Sequence, residues 1–197
     1  MIYLIGGAPR VGKSIIATRL AKLLSGRLIS IDELEKQSNR PAVVFFSSNP
    51  AENTLTPKEL VDTLVSEANL LHDDINRILR KAKDRNENVI IEGVHILPEY
   101  VMSYAEILNT ENVKSIFIGS TNTELVLQGM AQNTGSNNWL KDFGKTVRKQ
   151  IALFTNAFSN YLISEAQKYK TPYKERSLNF QEDMSNIIKE MTINKVR

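Results

Sequence analysis

The chain of 197 residues carries 25 basic and 22 acidic side chains, a net charge of +3, with 42% hydrophobic and 24% charged residues. That balance suits one globular domain and excludes a largely disordered or collagen-like chain; the small basic excess falls short of a dedicated nucleic-acid-binding face. Cysteine is absent and there are two histidines, so disulfides, thiolate metal sites and cysteine nucleophiles are ruled out and a reducing compartment is expected. Only nine glycines occur, yet Gly6, Gly7 and Gly12 fall within the first twelve residues.

The first residues, MIYLIGGAPRVGKS, lack the charged opening and apolar stretch of a signal peptide, and no apolar run reaches the ~18 residues of a membrane span. A cytoplasmic protein without membrane or nucleic-acid partners is expected. Ile2 to Ile5 reads as a strand ended by Gly6-Gly7; Ile16, Leu20, Leu23 and Leu24 then repeat at helical period from Lys13, with Gly26 as the residue that stops the helix. Leu28 to Ile31 is a second strand, ending at Asp32-Glu33. Residues 35 to 55 read as a loop around the apolar AVVFF. Thr56-Pro57-Lys58-Glu59 is a capping box that opens a long helix whose face is Leu60, Leu64, Ala68, Leu71, Ile75, Ile78 and Ala82.

Val89 to Ile91 is a third strand, apolar on both faces, ending at Glu92-Gly93. A helix from about Pro98 to Leu108 and a strand from Val113 to Ile118 follow. Residues 121 to 143 are polar, a short helix and then a mobile loop. Val147, Ile151, Phe154, Phe158, Tyr161, Leu162 and Ala166 mark a long amphipathic helix, Thr171 to Glu175 a weak fifth strand, and Asn179 with Glu182 the start of a last helix. Strands alternating with helices predict an α/β fold with a parallel sheet covered on both faces.

Gly7-Ala8-Pro9-Arg10-Val11-Gly12-Lys13-Ser14 matches GxxxxGK[ST] and lies between the first strand and the first helix. Background residue usage produces such an octet by chance in about 1% of chains this long. Its glycines let successive N–H groups turn toward phosphate oxygens, and the helix amino terminus adds partial positive charge. Lys13 suits the β and γ phosphates and the Ser14 hydroxyl suits Mg²⁺; Ile15 completes the nucleotide-binding run. The GxGxxG of a dinucleotide fold is absent. With neither thiolates nor a histidine cluster to hold another metal, Mg²⁺ on oxygen ligands is the metal expected.

In a parallel sheet the ligand crevice lies beyond the carboxyl ends of the strands, which brings Asp32 and Glu92 toward the same space as the loop. Asp32 is read as a base or hydroxyl-orienting group and Glu92 as an acid that holds magnesium waters or substrate. The alternatives are that Asp32 caps the helix that follows, with Glu33 taking its part, and that Glu92 only ends a strand. Arg40 is a candidate for an anionic substrate group, or else a solvated surface residue; His95 for reaching the crevice or for a capping or packing role; and Trp139 for closing over the nucleotide or for burial against the sheet edge.

The stretches GGAPRVGKSIIATRLA, LISIDEL and VIIEGVHILP resemble the P-loop small-molecule kinases of the adenylate/shikimate kinase type, and IEGVH is similar to the third-strand motif of 2-phosphoglycerate kinase-like proteins. The resemblance implies a three-layer P-loop NTPase fold in one domain over 1–197. It also implies a five-stranded sheet in the order 2-3-1-4-5, a helical substrate-binding insert at about 36–85 and a lid at about 120–147. It implies transfer of the γ-phosphoryl of ATP, with Mg²⁺, to a small anionic metabolite such as a phosphorylated hydroxy acid, with Asp32 acting on the acceptor hydroxyl. A nucleoside, nucleotide or antibiotic kinase is the alternative within that class, and a nucleotide-dependent regulatory protein the alternative outside it. Lids of this kind usually carry paired arginines. Here the stretch offers Gln128, Gln132, Lys141 and Lys145, and Arg148 at the start of the long helix is read as the catalytic cation, sharing the role with a lysine, the alternatives being a weak lid and a solvated helix face over 141–149; Arg10 is a second source of charge.

Overall fold

The computed structural model describes residues 1–32, 45–108, 110–132, 140 and 143–193. Arg40, Glu33, Trp139 and Lys141 lie outside the described residues. Strands β1 (Ile2–Gly7), β2 (Arg27–Ser30), β3 (Val89–Gly93), β4 (Val113–Gly119) and β5 (Tyr173–Glu175) form one sheet in the order β2-β3-β1-β4-β5, every neighbouring pair parallel. Ile5 pairs with Glu92, Ser30 with Glu92 and Gly7 with Ile118, so the carboxyl ends of β1, β2, β3 and β4 stand level. β1 and β3 are buried along their whole length, as their unbroken apolar runs require.

The helices are α1 (Lys13–Leu24), α2 (Pro57–Asp84), α3 (Val101–Leu108), α4 (Thr123–Gln132), α5 (Lys145–Tyr169) and α6 (Phe180–Thr192). The β1-to-β2 connection runs one way along the sheet, and the β2-to-β3, β3-to-β4 and β4-to-β5 connections run the other way. Right-handed crossovers therefore place α1 on one face and α2, α3 and α5 on the opposite face. The packing agrees: α6 returns to lie against α1, and α2 and α4 pack on α5. Reversal of direction beside β1 opens the crevice at the ends of β1 and β3.

Local signals explain most of the boundaries. Thr56 and Glu59 form the reciprocal capping box, with Glu59 N–H to Thr56 Oγ1 at 3.3 Å and Thr56 N–H to Glu59 Oε2 at 2.7 Å. Asn179 caps α6 by accepting from the Glu182 N–H at 3.3 Å. Pro98–Tyr100 is a separate 3₁₀ turn ahead of α3, so the helix predicted from Pro98 opens three residues later.

Several expectations are corrected. The left-handed residue that ends α1 is Ser25 (φ 47), while Gly26 is needed for space, because a Cβ there would lie 2.6 Å from Ile90 Cδ1. α1 buries Ile16, Ala17, Leu20 and Ala21 and leaves Leu23 62% exposed; the two alanines let the helix lie close to the sheet. On α2 the buried side chain near the carboxyl end is Leu79, with Ile78 half-buried beside it, as the 3.6-residue period shifts the face over a helix of 28 residues. β2 stops at Ser30, and Ile31 and Asp32 are already helical. Among the described residues no helix is long and apolar enough to cross a membrane.

Candidate active site

The loop between β1 and α1 is held from four directions. The Ala8 N–H donates to Ile118 O on β4 at 2.8 Å, and a Cβ on Gly7 would fall 2.2 Å from that same carbonyl, so the loop leaves the sheet in contact with β4. Thr155 Oγ1 on α5 donates to Pro9 O at 3.3 Å. Arg176 Nη1 donates to Arg10 O at 3.2 Å. Lys13 Nζ donates to Ala8 O at 2.8 Å, which closes the loop on itself.

Two residues of the loop adopt the left-handed region, Arg10 (φ 63) and Gly12 (φ 97). Gly12 caps α1, and its carbonyl accepts from the Ile15 and Ile16 N–H groups at 3.1 and 3.2 Å. No acidic side chain occupies the first turn of α1, so its positive end stays available to an anion. Val11 is fully buried and wedges the loop, whereas the Ile15 side chain is exposed.

Lys13 is 7% exposed, and burial pushes its ammonium below the ordinary lysine range; Glu92 and Asp32 act against that, while Arg10 adds to it. Glu92, buried at the end of β3, accepts from Ser14 Oγ at 3.2 Å. The structure thus brings together the loop, the Ser14 hydroxyl, the Glu92 carboxylate and, from an exposed position, Asp32. A desolvated cation, an open helix terminus and a hydroxyl paired with a carboxylate fit a nucleoside triphosphate with Mg²⁺. Lys13 and the loop N–H groups would hold the phosphates, and Ser14 with Glu92 the metal and its waters.

Two predicted residues are placed elsewhere. Arg148 donates from Nε to Phe143 O at 2.8 Å and from Nη2 to Leu140 O at 3.1 Å, so its guanidinium ties down the chain just ahead of α5. His95 is 2% exposed, and its Nε2 meets Glu67 Oε2 of α2 at 3.3 Å while its Nδ1 is buried without a partner. Other site residues escaped the sequence reading. Thr155 sits among apolar residues on α5, where a hydroxyl signals a buried partner. Arg176 follows β5, so the strand-end rule that found Asp32 and Glu92 reaches it too.

A cavity of 410 Å³ lies against α5, lined by Phe45, Phe46, Asn53, Leu60, Gln150 and Leu153 among others. Phe45 stacks on Phe154 with centroids 5.9 Å apart, and Asn53 Nδ2 donates to Gln150 Oε1 at 3.0 Å. Gln150 and Leu153 stand about 140° and about 200° around the helix from Thr155, which touches Pro9 O, so the cavity opens on a different face of α5 from the loop.

Sheet order, phosphate loop and strand-end acids define a P-loop protein with the fold of the small-molecule kinases. The chain is 25% identical to the 2-phosphoglycerate kinase of Methanothermobacter thermautotrophicus, over an alignment covering 100% of this chain and 67% of that protein. It is 32% identical to the 2-phosphoglycerate kinase of Pyrococcus horikoshii over 51% of this chain and 37% of that protein. The chain thus spans from about a third to two thirds of the length of these relatives. Among solved structures, deoxyadenosine kinase from M. mycoides with bound dATP superposes with a TM-score of 0.52 at 15% identity, covering 98% of this chain and 100% of that one. Shikimate kinase from Aquifex aeolicus gives a TM-score of 0.51 at 13% identity, covering 97% and 96%. No protein-family model matches the chain.

Proposed function

We propose that the chain is an ATP- and Mg²⁺-dependent phosphotransferase acting on a hydroxyl of a small anionic metabolite, a phosphorylated hydroxy acid of the 2-phosphoglycerate kind. The observation that carries this reading is the Ser14–Glu92 contact beside the buried Lys13, a hydroxyl, a carboxylate and a cation set at one end of the loop. The relatives named 2-phosphoglycerate kinase support the acceptor class.

Bound MgATP would supply the phosphoryl group. Lys13 and the loop N–H groups hold the phosphates and offset the charge that builds as the bond to the β-phosphate oxygen breaks and the bond to the acceptor oxygen forms. Asp32 orients the acceptor hydroxyl and takes its proton on a carboxylate oxygen. Residues 45 to 55 and the start of α2, within the predicted insert, form the acceptor wall. The predicted lid, with Arg148 fixing its carboxyl end, excludes water. Arg40 completes the acceptor side of the reading, for the anionic group, and His95, buried against Glu67, keeps a packing role.

A second reading, a nucleoside-type acceptor, is favoured by the cavity, whose described lining is phenyl rings, amides, the Ser47 and Thr54 hydroxyls and aliphatic chains, with Glu52 as its charged member. Both readings are tested by following ATP consumption against a panel that starts with 2-phosphoglycerate and includes nucleosides, nucleotides and aminocyclitols, with Lys13→Ala as control. The expected result is one phosphorylated acid that stimulates turnover at least tenfold and no turnover by the variant. Stimulation by a nucleoside alone selects the second reading, and unchanged turnover in Lys13→Ala refutes both.

A further inference from the structure

Arg176, the first residue after β5, has no part in the scheme above. Its backbone N–H continues the sheet pairing by donating to Gly119 O at 2.8 Å, which fixes where its side chain starts. The guanidinium lies over the Phe180 ring at 5.3 Å, and Nη1 reaches Arg10 O at 3.2 Å. On its far side is α4, where Gly129 leaves the necessary room: a Cβ there would stand 2.8 Å from Nη1 and 2.9 Å from Nη2. The Phe180 ring in turn fills the space beside Gly12, 2.5 Å from where a Cβ would be. Arg176 is therefore boxed by the lid-proximal helix, the start of the last helix and the phosphate loop.

The bond to the Arg10 carbonyl has a directional consequence. A trans peptide is planar, so its C=O and N–H point opposite ways. Holding Arg10 O toward Arg176 turns the Val11 N–H the other way, toward the cradle. Thr155 does the same one peptide earlier, holding Pro9 O and so aiming the Arg10 N–H. Arg10 also sits in the left-handed region at φ 63, which a non-glycine residue leaves readily unless its neighbours hold it. A charge-assisted bond to its carbonyl is such a hold.

We propose that Arg176 is a positioning residue of the nucleotide site: clamped between Gly129 and Phe180, it holds the Arg10 carbonyl outward and keeps the loop N–H groups set for phosphate. The inference rests on the reading of the loop as a nucleotide site. The test combines calorimetric ATP titration with hydrogen exchange of the ligand-free protein, comparing wild type with Arg176→Ala, Arg176→Lys and Gly129→Ala. Arg176→Ala is expected to weaken ATP binding about tenfold, the loss of one charge-assisted bond, and to speed exchange in the peptide spanning 6–16 while leaving 89–93 unchanged. Arg176→Lys keeps the charge without the planar fork and should recover part of both losses. Gly129→Ala improves helix propensity yet crowds the guanidinium, so it should reproduce the arginine loss with no drop in thermal stability. Wild-type loop exchange or ATP affinity in Arg176→Ala overturns the proposal, as does exchange that quickens equally in 89–93. Failure of the wild type to bind ATP refutes the nucleotide reading, and the exchange arm still judges the role of Arg176.

Discussion

Replacing Gly12 by alanine isolates what the loop asks of its backbone. The residue holds φ 97 and ψ 16, a left-handed conformation whose cost for an L side chain is about 1–2 kcal/mol. The new Cβ would also stand 2.5 Å from both Cε2 and Cζ of Phe180, about 1 Å inside ordinary contact, and the ring cannot retreat freely because Arg176 lies on it. Overpacking of this kind costs about 1–3 kcal/mol, so Gly12→Ala is expected to lose about 2–5 kcal/mol, a large share of the roughly 5–15 kcal/mol of a domain. Phe180→Ala removes the steric part alone. In that background Gly12→Ala should cost only the backbone part, about 1–2 kcal/mol, and urea unfolding of the four proteins followed by circular dichroism measures the coupling. An equal penalty in both backgrounds refutes the steric argument, and a penalty below about 0.5 kcal/mol in the Phe180→Ala background refutes the backbone one.

Two further outcomes follow from the site. Asp32→Asn should keep ATP affinity, since Asp32 is exposed and is read as acting on the acceptor, while phosphoryl transfer falls at least ~100-fold; full transfer in a coupled assay dismisses the role. Burial pushes the Lys13 ammonium below the ordinary lysine value, and the triphosphate needs that ammonium form, so ATP affinity should decline as pH rises through the lowered pKa. The same shift makes the ligand-free fold gain stability from Lys13 between that pKa and the ordinary value, where the unfolded chain holds the proton longer. ATP titrations carried from acid pH up to the ordinary lysine range that stay flat refute this.

Where one local signal decides one outcome, the sequence was readable. The octet at 7–14, the capping box at Thr56, the cap at Asn179 and the apolar run of β3 each depend on neighbours a few residues away, and each lies where expected. The strand-end rule brought Glu92 to Ser14 because β1 and β3 are adjacent and in register. Arg148 shows the limit. A cation at the start of a helix beside a polar loop reads the same whether it turns to a phosphate or, as here, back to the carbonyls of Leu140 and Phe143. His95 is similar: its distance from Glu92 along the chain says nothing of Glu67, which reaches it from α2. Ser25, not Gly26, turns left-handed because a glycine near a helix end can serve either conformation or clearance, and composition does not distinguish them.

Helix α5 ties the less readable half of the site to the loop. Gln150 accepts from Asn53, and Phe154 carries Phe45 and Phe46 at ring distances of 5.9 Å. The next residue, Thr155, shares its hydroxyl between Ile151 O at 3.0 Å and Pro9 O at 3.3 Å. One turn on, Ser159 Oγ donates to Thr155 O at 2.6 Å and accepts from the Ser120 N–H at 2.8 Å, anchoring the helix to the end of β4. These contacts lie along 150–159 of one helix, so the cavity wall and the phosphate loop meet different faces of a single rigid element. On the proposed function, the spacing between acceptor and phosphoryl group is then built into a rigid element.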